Sequence, residues 1–73
     1  MIPSVTARVA IKAFNVFGFV QHRQKGSHVI LKKADHPLLL TIPDHGNKDV
    51  STGLLRKQIR NAGITVEEFT NAL

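Results

Sequence analysis

Apolar residues recur at two different periods along this 73-residue chain. Val9, Ala10, Ala13, Phe14 and Phe17 fall at helical spacing, whereas Arg8, Lys12 and Asn15 lie off that stripe, so the pattern predicts a helix over residues 7–17. Thr6 stands where a side-chain oxygen caps the first turn, and Gly18 where a left-handed residue ends the last. Beyond Gly18 the helical period is lost. Residues 19–24 and 27–33 flank Lys25-Gly26, and glycine takes a positive φ without steric cost, so this pair reads as the tip of a β-hairpin. Ala34-Asp35-His36-Pro37 is turn chemistry, since Pro37 has no N–H to give a ladder. Residues 38–42 follow as a third strand, whose unbroken apolar run implies cover on both faces, by helices on one and by another chain on the other.

Residues 43–50, with Asp44, Gly46 and Asn47, read as an exposed loop. Ser51 or Thr52 then caps a second helix in which Leu55, Ile59 and Ala62 point inward with Leu54 beside them, while Arg56, Lys57 and Arg60 face water. Gly63 ends that helix. Thr65 and Glu68 have the spacing of a capping box, opening a last short helix in which Val66, Phe69 and Leu73 pack inward. The expected order is helix, three antiparallel strands, helix, short helix, an α+β fold.

Length narrows the architecture further. A chain this short buries too little surface for two cores, so residues 1–73 are expected to form one domain with a stability of roughly 3–5 kcal/mol. There is no cysteine, which excludes disulfides and thiolate metal sites and fits a reducing cytoplasm. The apolar run at 7–19 contains Arg8 and Lys12 and is too short to cross a bilayer, so a soluble, cytoplasmic protein without a membrane partner is expected.

Charge changes the picture more. The formal charge is +5 and the pI about 10.3, and residues 1–33 hold Arg8, Lys12, Arg23, Lys25, Lys32 and Lys33 with no acidic residue. The remainder sets Lys48, Arg56, Lys57 and Arg60 against Asp35, Asp44, Asp49, Glu67 and Glu68. A cationic hairpin half points to a polyanion, and to nucleic acid before a membrane surface. With no Trp or Tyr and four Phe in apolar contexts, a platform that stacks single-stranded bases is not expected.

His28 is the candidate reactive group. A two-residue loop drawn through Lys25-Gly26 sets Arg23 directly across from it, and Lys32 returns to its face of the strand. Nearby cations disfavour a charged imidazole and attract phosphate, which suits abstraction of a ribose 2′-hydroxyl proton. Ser27 is not its nucleophile, because neighbouring strand residues point to opposite faces; it suits a phosphate hydrogen bond or the turn itself. In the same register His22 lies opposite Val29 on the packing face, and His36, before a turn proline, has no evident task. His45 sits on a loop that can reach a ligand and ranks second to His28. Four histidines with no cysteine and no i, i+4 pair make poor ligand geometry, so no metal and no cofactor are expected. Arg56, Lys57 and Arg60 form a solvated helix face that could extend an RNA footprint.

Taken in order, Gly18-Phe19, Gly26-Ser27-His28, Pro43-Asp44-His45-Gly46-Asn47-Lys48, Gly53-Leu54-Leu55-Arg56, Ala62-Gly63-Ile64 and Glu67-Glu68-Phe69 resemble the HicA-type (YcfA-like) toxins over nearly the whole chain. Those are the small mRNA interferases of type II toxin–antitoxin pairs. The resemblance implies a fold like that of a double-stranded-RNA-binding domain. It also implies RNA cleavage with His28 as the catalytic residue, Gly26 as the residue permitting the turn, and inhibition by a HicB-type antitoxin that covers the site. His45 falls in the family's second motif block. The expected function is thus a metal-independent endoribonuclease acting on mRNA, with Arg23, Lys25, Gly26, Ser27, Lys32, His45 and Lys48 contacting RNA and no contact with DNA by this chain alone. The competing expectation is a non-catalytic module that grips duplex RNA by shape, and a third is an inactive relative kept for its partner.

Overall fold

The computed structural model describes residues 2–73, in the order α1 (Ala7–Val16), β1 (Val20–Lys25), β2 (His28–Lys32), β3 (Leu40–Pro43), α2 (Thr52–Ala62) and α3 (Val66–Asn71). The strands form one antiparallel sheet in the order β1-β2-β3. This is the α+β, double-stranded-RNA-binding-domain-like arrangement anticipated above.

Helix α1 forms on a narrow stripe of small residues. Ala7, Ala10, Ala13 and Phe14 are buried, and three alanines let the helix approach the core closely. Thr6 is its N-cap in extended conformation, but its side chain makes no capping hydrogen bond; its backbone instead bridges to Asp49. Val9, expected in the stripe, is 39% exposed because the stripe turns toward Ala7 and away from it. The C-terminus is closed by a Schellman motif. With Gly18 at φ 93°, its N–H donates to the Asn15 carbonyl at 3.1 Å and the Phe19 N–H reaches back to the Phe14 carbonyl at 3.2 Å. Phe19 thus belongs to the cap rather than to β1, and its ring meets Phe14 edge-on at 6.4 Å.

Phe14 is the hub of the core. Phe69 of α3 lies 5.0 Å from it on another side, and both rings are fully buried with Phe19, Leu31, Leu40, Ile42 and Leu55. α3 starts where the capping box was expected: Thr65 Oγ1 accepts from the Glu68 N–H at 3.0 Å and Glu68 Oε1 accepts from the Thr65 N–H at 2.9 Å. Leu73, expected to pack inward, lies past the end of α3 and is 45% exposed.

The sheet alternates as a half-buried sheet must. On β2, Val29 and Leu31 are buried while His28 and Lys32 are exposed, and on β3 Leu40 and Ile42 are buried. The apolar run before β3 resolves differently from expectation. Leu38 and Leu39 precede the strand and are exposed, so the second face of β3 carries Thr41 and Pro43 and no apolar layer. The outer edge of β3 is held by α2, where Gln58, 5% exposed, accepts from the Thr41 N–H at 3.1 Å. Ser51, and not Thr52, caps α2, accepting from the Leu54 N–H at 3.2 Å; Gly63 stops it at φ 74°.

His36 is not idle. Its Nε2 donates to the Asn61 carbonyl at 2.7 Å, which requires the proton on that nitrogen, and its ring meets Phe19 edge-on at 5.1 Å. It ties the β2–β3 connection to the end of α2. The Lys33 ammonium lies 5.7 Å from the Phe19 ring centre, covering another flank of the same aromatic.

Two outcomes follow from this packing. Phe14→Ala removes the ring shared by two other aromatics and should cost about 3–5 kcal/mol, comparable to the whole stability of a domain this size, so circular dichroism at 25 °C should find the variant largely unfolded. Gln58→Ala leaves the Thr41 N–H unpaired and should cost about 1–3 kcal/mol in a urea titration, whereas Arg56→Ala on the exposed face of the same helix should stay within about 0.5 kcal/mol of the parent.

Candidate active site on the sheet face

The β1–β2 turn decides which side chains meet. Gly26 has φ 59° and is the first of two loop residues, with Ser27 the second and without a positive φ, the pattern of a type II′ turn. The loop is therefore Gly26-Ser27, one residue later than a turn drawn through Lys25-Gly26. Lys25, and not Arg23, stands directly across from His28, and Gln24, not His22, opposes Val29. The physical reason lies in glycine: only the residue at the first loop position needs the left-handed conformation, and that residue is Gly26.

A β-bulge then repairs the register. Gln21 pairs with Leu31 and Arg23 with Ile30, so His22 is an extra residue in the ladder. It is exposed at that irregularity and does not pack inward. Arg23 shares the face of Lys25 by simple alternation, and the bulge beyond it turns Gln21 toward the core face and brings Val20 outward. Partners across an antiparallel pair share a face, so the outward surface of the sheet bears Lys25 and His28, then Arg23 and Ile30, then Val20 and Lys32, with Pro43 and Thr41 on the far side. His28, Lys25, Arg23 and Lys32 are all exposed there. Among the described residues no hydrogen bond is made at the His28 ring, which stands free toward solvent.

The loop after β3 is moored to the same turn. The Asp44 N–H donates to the Ser27 carbonyl at 2.6 Å, so the loop leaves the sheet beside His28, whose partner on β3 is Pro43. Asp44 Oδ1 accepts from the Gly46 N–H at 3.0 Å, shaping the loop through Gly46 at φ 68°. His45 is exposed on this loop, next to the residue that is tied to Ser27. Lys48 donates its N–H to the His45 carbonyl at 3.4 Å and precedes Asp49, which bridges to Thr6, so it is carried toward the start of α1. The structure thus gathers His28, Lys25, Arg23 and Lys32 on one face and moors the His45 loop at its end; Lys48 stands apart from them.

Sequence reasoning passed over two participants. Pro43 is the cross-strand neighbour of His28, a place signalled only by its position at the end of an apolar run. Arg8 lines a polar hollow of about 250 Å³ with Thr6, Asp44, Gly46 and Asn47, which could be recognised only once α1 and the loop were known to meet. Chemically, the face offers one solvent-accessible imidazole, three cations in the same layer and no carboxylate on the strands that carry them. Such an arrangement can bind a phosphodiester and place a proton acceptor beside it.

No curated protein matches the chain. The family model for the HicA toxin of bacterial toxin–antitoxin systems matches residues 7–64, from the start of α1 through the stop of α2, and so includes every strand and the loop that follows them. The chain belongs to the HicA toxin family of bacterial toxin–antitoxin systems.

Proposed function

We propose that this toxin is a metal-independent endoribonuclease that cleaves mRNA, with His28 as its general base, and that a HicB-type antitoxin neutralises it in the cytoplasm. The observation that carries this is the pairing of an exposed His28 with Lys25 directly across the hairpin, in a chain of the HicA toxin family. His28 takes the proton of a ribose 2′-hydroxyl, the freed oxygen attacks the adjacent phosphorus, and the 5′-oxygen leaves with a proton supplied by His45 or water. Lys25 and Arg23 bear on the phosphoryl oxygens as charge builds, while Lys32, at the other end of β2, holds a neighbouring phosphate. Gly26 contributes by permitting the turn, Ser27 by a hydrogen bond, and Lys48 by a more distant backbone contact. DNA, lacking the 2′-hydroxyl, is not a substrate.

A specific observation favours a second reading, a non-catalytic RNA-binding module of the same fold. Among the described residues no partner orients the His28 ring, which a binding surface would tolerate better than a catalyst.

Three measurements separate them. The parent should cut an RNA oligonucleotide to fragments ending in 2′,3′-cyclic phosphate, with EDTA making no difference and a 2′-deoxy sugar at the cleaved position blocking the cut. His28→Ala should lower the rate by about 10²–10⁴ with an unchanged circular dichroism spectrum. Lys25→Gln should lower kcat by roughly 10²-fold, while Lys32→Gln should act mainly through KM. Binding of RNA without any cutting by the parent would establish the module instead.

A further inference from the structure

Among the described residues the sheet has one open edge. At β3, the Thr41 N–H is taken by Gln58, and α2 packs along that side. At β1 nothing among the described residues covers the strand: all six of its residues are exposed, including Gln21 and Gln24, whose faces turn toward the core layer.

The backbone groups left free at that edge can be identified. Because Thr41 donates to Gln58 and not to β2, the Thr41/Ile30 pair is the non-hydrogen-bonded kind, and the pairs on either side of it, Val29 with Ile42 and Leu31 with Leu40, are bonded. Val29 and Leu31 therefore direct their main-chain groups toward β3. Their partners on β1 are Gln24 and Gln21, whose N–H and C=O groups consequently point away from the sheet. Lys25 and His28, flanking the two-residue turn, face one another, consistent with this assignment. An exposed edge of this kind is a template for another strand.

Charge selects which strand. β1 carries His22, Arg23 and Lys25 and no acidic residue, within a first half that has none from residue 1 to 33. Two copies paired through β1 would bring these cations together, and the bulge at His22 shortens the regular stretch on which they could pair. An extended segment rich in Asp and Glu meets no charge repulsion and has to accommodate one bulge where two copies would have to accommodate two. RNA could answer the charge but not the outward N–H and C=O groups spaced for a peptide ladder.

We infer that the antitoxin silences this toxin by adding an acidic extended segment to the free edge of β1, pairing with Gln21 and Gln24 and drawing Arg23 and Lys25 away from phosphate. The inhibitory consequence rests on the ribonuclease proposal above; the strand pairing does not.

Hydrogen exchange on the toxin alone, with the antitoxin encoded beside it, and with a non-cleavable 2′-deoxy oligonucleotide tests the inference. The Gln21 and Gln24 amides should exchange rapidly in the free protein and become protected only with the antitoxin. Gln24→Pro and Gln21→Pro each remove one outward N–H at an edge position and should each weaken the complex by about tenfold, with RNA cleavage unchanged. Raising salt should weaken the parent complex further. Amides left unprotected in a complex that forms, proline variants bound as tightly as the parent, protection by the oligonucleotide instead, or a toxin dimer through this edge would each overturn the inference. If RNA is cut but no complex forms, the inference falls and the ribonuclease proposal stands. If a complex forms with the edge protected but no RNA is cut, the strand pairing stands and the ribonuclease proposal falls.

Discussion

Burial of Val29 and Leu31 on one side of β2 is the constraint from which the rest of the molecule takes its orientation. Each such side chain is worth about 1.5–3 kcal/mol when removed from water, so slipping the strand by a single residue would forfeit both and drive His28 or Ile30 into the core. The cationic face is held in solvent by the same energy that holds the core together. Leu40 and Ile42 on β3 repeat the alternation and lock the register from the other side.

Around that sheet the helices are placed by a few local devices with definite chemistry. A left-handed glycine at 18 reverses the chain after α1 and lays Phe19 on Phe14; a left-handed glycine at 63 does the same after α2, and a capping box starts α3 so that Phe69 reaches Phe14 from another side. His36 and Gln58 are the polar members of this frame, one bonded to the last turn of α2 and the other joining that helix to β3. Each satisfies a backbone group that would otherwise lack a partner, at a seam where elements distant in sequence meet.

The face that results is asymmetric. One end holds the turn, His28 and the moored His45 loop, and the other end holds Lys32, with Arg23 between them and Val20 beside Lys32 because a bulge absorbs His22. A bulge beside a candidate site does what bulges commonly do, re-aiming a side chain that strict alternation would send to the other face. The same irregularity interrupts the regular backbone spacing along the outer edge of β1.

The sequence by itself determined the kind and order of the elements, because helical spacing at Ala10, Ala13 and Phe14, the capping box at Thr65 and Glu68, and the glycines at 18, 26 and 63 act within a few residues of where they stand. It also determined that His28 and Lys32 share a face, since a strand has a period of two. Which residue confronts His28 was decided by the structure: a one-residue difference in the loop exchanges Lys25 for Arg23, and neither that nor the extra residue at His22 is visible as periodicity. The exposed Leu38, Leu39 and Val9, the task of His36, and the mooring of Asp44 to Ser27 were likewise settled only by tertiary contact. Local conformation follows from neighbours along the chain, whereas register, edge and seam depend on partners that the chain brings together from far apart.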